Sequence, residues 1–168
     1  MRDLRELILD FGIRSLVVLA LLVPWYVLDW EWAVRWTASV TVMGLSPFCG
    51  DVAAVNGMGI VCDSQPFPFA KECTYLDLFL IAAPFLWSTR QRSLLNLRRL
   101  SIAFLLLWVL NSVRLVGSLA ASAHGVRWEL AHDLPDMLLY WPFLLAVLAG
   151  HWRRAADANA QELEPPRA

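Results

Sequence analysis

Residues 100–121 read LSIAFLLLWVLNSVRLVGSLAA, and this run decides the fold class. A bilayer's hydrocarbon core of about 30 Å is crossed by about 20 predominantly apolar residues in a helix. The run has that length, and its one formal charge is Arg114. C-terminal to it, residues 134–152 form a second such stretch, preceded by Asp133 and closed by Trp152-Arg153-Arg154, with Pro142 inside as an expected kink. N-terminal to it, residues 73–88 form a shorter apolar run with Asp77 in its first turns, which tilt, local thinning or burial would accommodate. Residues 11–28 form the remaining span, with Arg2 and Arg5 before it, Arg14 in its first turn and Asp29-Trp30-Glu31 after it. A cleaved signal peptide is the rival reading of that first stretch. Bulky residues rather than a small-x-small site follow it, so it reads as an uncleaved anchor.

The expected fold class is therefore an all-α polytopic membrane protein with about four transmembrane helices. Composition agrees: 58% of residues are hydrophobic and 17% charged, against roughly a quarter charged in soluble domains. Trp30, Trp32, Trp87 and Trp152 flank apolar runs, where indole rings anchor in the headgroup layer. The net charge of −1 gives no basic field for nucleic acid. Arginines gather at the N-terminus, at 90–99 (Arg90, Arg92, Arg98, Arg99) and at Arg153-Arg154, whereas 29–72 and 122–136 hold Arg35, Lys71 and Arg127. The positive-inside rule then places both termini in the cytoplasm. The transmembrane domain is expected over 1–154, with a disordered polar tail at 155–168.

The outer segment 29–72 carries structure of its own. Residues 32–45 suit an interfacial or re-entrant helix, with Trp32, Trp36 and Val40 on one side. Asn56-Gly57 between short β-branched runs signals a hairpin lying over the outer surface. The three cysteines (Cys49, Cys62, Cys73) all fall on this side, and an odd count leaves at least one unpaired within the chain. A Cys49–Cys62 disulfide is compatible with the sequence and would leave Cys73 free. No CxxC pair, zinc-ligand spacing or Gly-rich phosphate loop occurs.

Polar residues within or near spans are functional candidates by default. Arg114 lies about 14 residues into its span, or ~21 Å from the inner boundary at about 1.5 Å per residue. That is the outer leaflet. Asn111 and Ser118 share its helix face, and such a polar stripe points into a bundle more readily than it snorkels. Cys73 opens the short span, where a helix N-terminus and a nearby guanidinium favour thiolate. Asp77, four residues on, is a partner for Arg114 or an orienting group. His132 precedes the last span, with Asp133 expected as helix N-cap and Asp136 at the third helical position. His124 and His151 are less committed. A thiolate, an imidazole and a fixed cation thus meet at one membrane depth, and cysteine acyl transfer needs these three groups.

Glu72-Cys73-Thr74, Asn111-Ser112-Val113-Arg114-Leu115 and His132-Asp133, in that order on successive membrane segments, resemble the exosortase/archaeosortase family of membrane-embedded cysteine proteases and transpeptidases. The resemblance covers residues 71–142 and, more loosely, the membrane layout. It implies Cys73, Arg114 and His132 as the catalytic set, with Asn111, Asp77 and Asp133 supporting, and no metal or organic cofactor. It implies as partners membrane-anchored proteins with a C-terminal sorting signal, processed at the outer face of the bacterial cytoplasmic membrane. The chain departs from the family in carrying Tyr75 where glycine commonly follows the cysteine by two residues, and in having fewer spans than many members. Two other functions fit a protein of this layout: a quinone-linked, disulfide-generating oxidoreductase, which needs two thiol pairs where three cysteines supply one, and a non-enzymatic membrane assembly protein.

Overall fold

The computed structural model describes residues 4–55, 59–89 and 91–163. The chain is mostly helical: α1 (Leu4–Val27), α2 (Glu31–Leu45), three strands β1 (Val52–Val55), β2 (Gly59–Cys62) and β3 (Gln65–Pro68), a 3-10 turn (Lys71–Thr74), then α3 (Leu76–Leu86), α4 (Ser93–Ala123) and α5 (Trp128–Leu163). Among the described residues, three helices are long and apolar enough to cross a membrane, within Ile8–Val27, Ser93–Ala123 and Trp128–Arg154. Their outward faces carry exposed Ile13, Leu16, Leu19, Leu105, Val109, Leu138 and Leu145. Such faces are at home in lipid.

The fourth expected span differs. Residues 73–88 do not form one helix: α3 covers 11 residues, or ~16 Å at about 1.5 Å per residue, roughly half a hydrocarbon core. Its start is set by Tyr75, whose φ of 56° breaks the helical path from the preceding turn. At its end Pro84 lacks a donor and Trp87 is extended. This short helix is the centre of the bundle, packing against α1, α4 and α5, with Leu78 and Ala82 fully buried.

Two further boundaries correct the sequence reading. Asp133 is not a helix N-cap, because α5 begins at Trp128, with Leu130 and Ala131 amides already bonded to the Arg127 carbonyl. Asp133 and Pro135 therefore lie inside the helix; Pro135 costs one backbone bond there without ending it. The tail expected to be disordered continues α5 as far as Leu163. Ala155, Ala156, Ala158, Ala160, Gln161 and Glu162 account for this, being mostly strong helix formers, a preference that outweighs their polarity. The rest of that tail lies outside the described residues.

On the side of α2, the helix expected over 32–45 is present and runs from Glu31. Trp32 and Trp36 are exposed, while Ala33, Val34, Thr37, Ala38 and Thr41 are buried. Small residues let α2 lie close to α4: a Cβ built on Gly44 would come within 2.6 Å of the Val116 Cγ2. Trp36 stacks on Trp108 of α4 at 5.0 Å between ring centroids. The expected hairpin strands β1 and β2 pair antiparallel, Val55 opposite Gly59, and β3 extends them to a three-stranded sheet; the Asn56-Gly57 turn lies outside the described residues. Ile60, Cys62 and Phe67 pack with Val34, Ala38 and Leu45 of α2 and Leu115 and Leu119 of α4. Cys49 and Cys62 are joined by a disulfide, and the Asp63 carboxylate accepts from the Gly50 and Asp51 amides at 2.8 and 3.1 Å.

The disulfide closes a loop between residues 13 apart in sequence, a constraint worth about 3 kcal/mol in the chain-entropy account. Reducing it, or substituting both cysteines by serine, is expected to lower the thermal midpoint by several degrees in detergent, while Cys73→Ser leaves the midpoint within about a degree. Equal midpoints with and without reductant would show that the sheet contributes little to the cooperative unit.

Candidate functional site

The 3-10 turn is built by its own short side chains. The Thr74 hydroxyl donates to the Lys71 carbonyl at 2.7 Å and accepts from the Leu76 amide at 3.3 Å. Tyr75 then takes a left-handed conformation that costs a non-glycine residue energy and places glycine there by default. This is the position where the sequence carries tyrosine in place of the resembled family's glycine. The ring has its own use: the Arg114 guanidinium lies over it, 4.8 Å from the centroid.

From α4, Asn111 holds the turn. Fully buried, it donates through Nδ2 to the Cys73 carbonyl at 2.6 Å, and its Oδ1 accepts from Arg114 Nε and Nη2 at 3.3 and 3.1 Å. The Arg114 side chain is 1% exposed and meets Asp136 of α5, with Nη1 2.7 Å from Oδ1. The same Oδ1 accepts from the Tyr75 hydroxyl at 2.8 Å. Arg114 Nη1 also lies 3.4 Å from His132 Nε2, and His132 Nδ1 lies 3.0 Å from the Asp133 carboxylate. Trp128, one turn earlier, stacks on the imidazole at 4.6 Å. These partners define a tautomer: a guanidinium only donates, so Nε2 presents its lone pair and Nδ1 carries the proton toward Asp133.

Arg114, Asn111 and His132 are therefore in direct contact, and Asp133 supports His132 from beside it in the sequence. Cys73 joins them through its carbonyl and through electrostatics. It is the free cysteine among the described residues, and it packs against the apolar cluster beneath the sheet. Burial pushes the Cys73 thiol up; the Ala70 backbone and the Arg114 charge pull it down by less, and Glu72 and Asp136 add to the rise. The expected helix-dipole activation is thus corrected: Cys73 lies before Tyr75 on a short 3-10 turn rather than on the first turn of α3, so desolvation dominates and the resting group is a neutral thiol. Asp77 does not pair with Arg114. Its Oδ1 is buried with no hydrogen-bond partner among the described residues.

Asp136 and Tyr75 are the components that the sequence reading missed. Asp136 was assigned to a helix cap that does not exist; its spacing of four from His132 puts both on one face of α5 and is the signal that identifies it. Trp128 carried no such signal. No family model, curated protein or solved structure matches this chain.

Alkylation follows the thiolate fraction, so the pH profile of Cys73 modification by iodoacetamide should lie above that of an unburied cysteine. Arg114→Gln removes a cation and should move it higher still. Asp136→Asn removes an anion and frees the guanidinium, and should move it lower. Both variants shifting in one direction would contradict the assigned electrostatics.

Proposed function

We propose that this protein is an exosortase-like membrane cysteine transpeptidase or protease, with Cys73 as nucleophile, His132 as general base and acid, and Arg114 as the stabiliser of developing negative charge. The observation that carries the reading is the contact between Arg114 and His132, joined through Asn111 to the backbone of Cys73. These groups come from three segments far apart in sequence, in the order in which the resemblance assigns them. A left-handed backbone at Tyr75, where the family commonly has glycine, adds support independent of the reacting groups.

In the proposed reaction, His132 Nε2 gives up its contact with Arg114 Nη1, its freed lone pair takes the proton of the Cys73 thiol, and the sulfur attacks a peptide carbonyl. The carbonyl oxygen gains negative charge close to the guanidinium. Collapse breaks the C–N bond, and His132 returns the proton to the departing amine, leaving a thioester on Cys73. An acceptor nucleophile or water, deprotonated by His132, then releases the acyl group. A neutral thiol suits this sequence, since the base has a proton to take. Of the five guanidinium N–H bonds, Asn111, Asp136 and His132 engage four, which leaves one on Nη2 for the oxyanion.

On this reading α3 counts as a fourth, shorter membrane segment and both termini are cytoplasmic. The site then faces outward at the bacterial cytoplasmic membrane. The arginine-rich segments support that orientation, as does the Cys49–Cys62 disulfide, which belongs in an oxidising compartment. The oxidoreductase reading fares worse, because one disulfide and one lone thiol cannot form a relay.

The test is co-expression of a protein carrying a C-terminal sorting signal with wild type, Cys73→Ala, Cys73→Ser and His132→Ala. The cleaved or transferred product should vanish with Cys73→Ala and fall at least about 100-fold with His132→Ala. Undiminished processing by Cys73→Ala would end the enzyme reading. A membrane assembly protein would instead keep its phenotype in Cys73→Ser.

A further inference from the structure

The end of α3 opposite Cys73 is ringed by guanidinium groups from three helices. Arg14 of α1 donates through Nη1 to the carbonyls of Pro84 and Trp87, the latter at 2.7 Å, and pairs through Nε with Asp10 at 2.9 Å. Arg154 of α5 donates through Nη2 to the Phe85 carbonyl at 2.9 Å. Arg99 of α4 is the third: its charge and that of Arg14 act repulsively on Arg154, and its Nη1 is buried with no hydrogen-bond partner among the described residues. A helix C-terminus offers these cations about half a negative charge, and Asp10 offers one carboxylate that also lies 3.5 Å from His151. Among the described residues no carboxylate pairs with Arg99 or Arg154.

Beside the ring, a groove of about 390 Å³ runs between α1, the end of α3 and the start of α4. Asp10, Arg14 and Thr89 line it together with Val17, Leu21 and Leu100, the last adjacent to Arg99. Along α1 the lining passes from charged to apolar toward the middle of the span. Arg14 at the polar end of an apolar trough, with Arg99 next in sequence to the lining Leu100, is complementary to an amphiphile with an anionic head, the chain lying along the trough and the phosphate toward the guanidinium groups.

We propose that the Arg14, Arg99 and Arg154 end of the bundle binds an anionic phospholipid, whose phosphate takes the unfilled donor of Arg99 and whose acyl chain occupies the groove along α1. The lipid supplies the missing counter-charge and ties α1, α4 and α5 around the end of α3. The site lies at the other end of α3 from the candidate catalytic groups and stands whether or not they catalyse peptide transfer.

Thermal unfolding of the full chain in a neutral detergent tests it, with short-chain phosphatidylglycerol, short-chain phosphatidylcholine or inorganic phosphate added. Phosphatidylglycerol should raise the midpoint saturably by several degrees; the other two should not. The rise should vanish in Arg99→Gln and persist in Arg99→Lys. An equal rise with phosphatidylcholine, a rise with phosphate alone, or an undiminished rise in Arg99→Gln would overturn the assignment. Should Arg99→Gln fail to fold, native mass spectrometry of wild type from vesicles of equal phosphatidylglycerol and phosphatidylcholine decides: preferential retention of phosphatidylglycerol supports the site, and equal retention rejects it. The thermal readout uses no peptide substrate, so its failure and that of the peptidase reading are separable.

Discussion

A guanidinium buried in an apolar helix is the constraint on which the arrangement depends. Arg114 sits among Val113, Leu115 and Val116, where an unpaired cation costs at least about 2.5 kcal/mol. Its donors are met by Asp136 from α5 and Asn111 from its own helix, while the Tyr75 ring covers its face. Each partner fixes a different element. Asp136 sets the rotation of α5 against α4, Asn111 holds the turn before α3 by its backbone, and Tyr75 fixes the place where that turn becomes helix. The pair is buried on the Arg114 side only, Asp136 being 37% exposed; it adds little net stability over apolar packing, but removing the carboxylate would strand a buried cation. The pair therefore selects one helix arrangement more than it strengthens it.

The second organising element is the short α3, around which the longer helices pack. One end of α3 meets the polar network and the other meets arginines. On the side of α2, the disulfide and the Asp63 carboxylate tie the sheet to the end of that helix. The sheet covers the apolar cluster against which Cys73 packs. Access to the thiol and its protonation are thus both governed by the packing of that cluster.

Much of this was legible in the chain. Three long apolar runs, the helix after Trp30, one unpaired cysteine and the gathering of Arg114 and His132 at one level follow from hydropathy, cysteine parity and the high cost of polar atoms in lipid. The misses share a cause. Where a local rule competed with a tertiary partner, the local rule was followed: Asp133-Leu134-Pro135-Asp136 has the composition of a cap, yet Pro135 is absorbed within α5 and Asp136 serves Arg114 across the bundle. Asp77 has the right helical spacing to Cys73, but Arg114 takes the carboxylate on α5. The resting state of Cys73 was misjudged because desolvation depends on the sheet packed above it, which no neighbour in sequence reveals. Tyr75 was noticed only as a departure from glycine, since a left-handed backbone is not written in composition.

A helix that covers about half of the hydrocarbon thickness has a geometric corollary. On the proposed reading of α3 as a membrane segment, with its first turn fixed at the level of Arg114, its last carbonyls would fall short of the far headgroups, and the arginines that receive them would be drawn inward from the water. Their solvation then depends on how far polar lipid and water reach toward them, a distance set by acyl-chain length. Bilayer thickness thereby becomes a variable of the protein's own energetics, favouring membranes thin enough to bring the interface to those guanidinium groups.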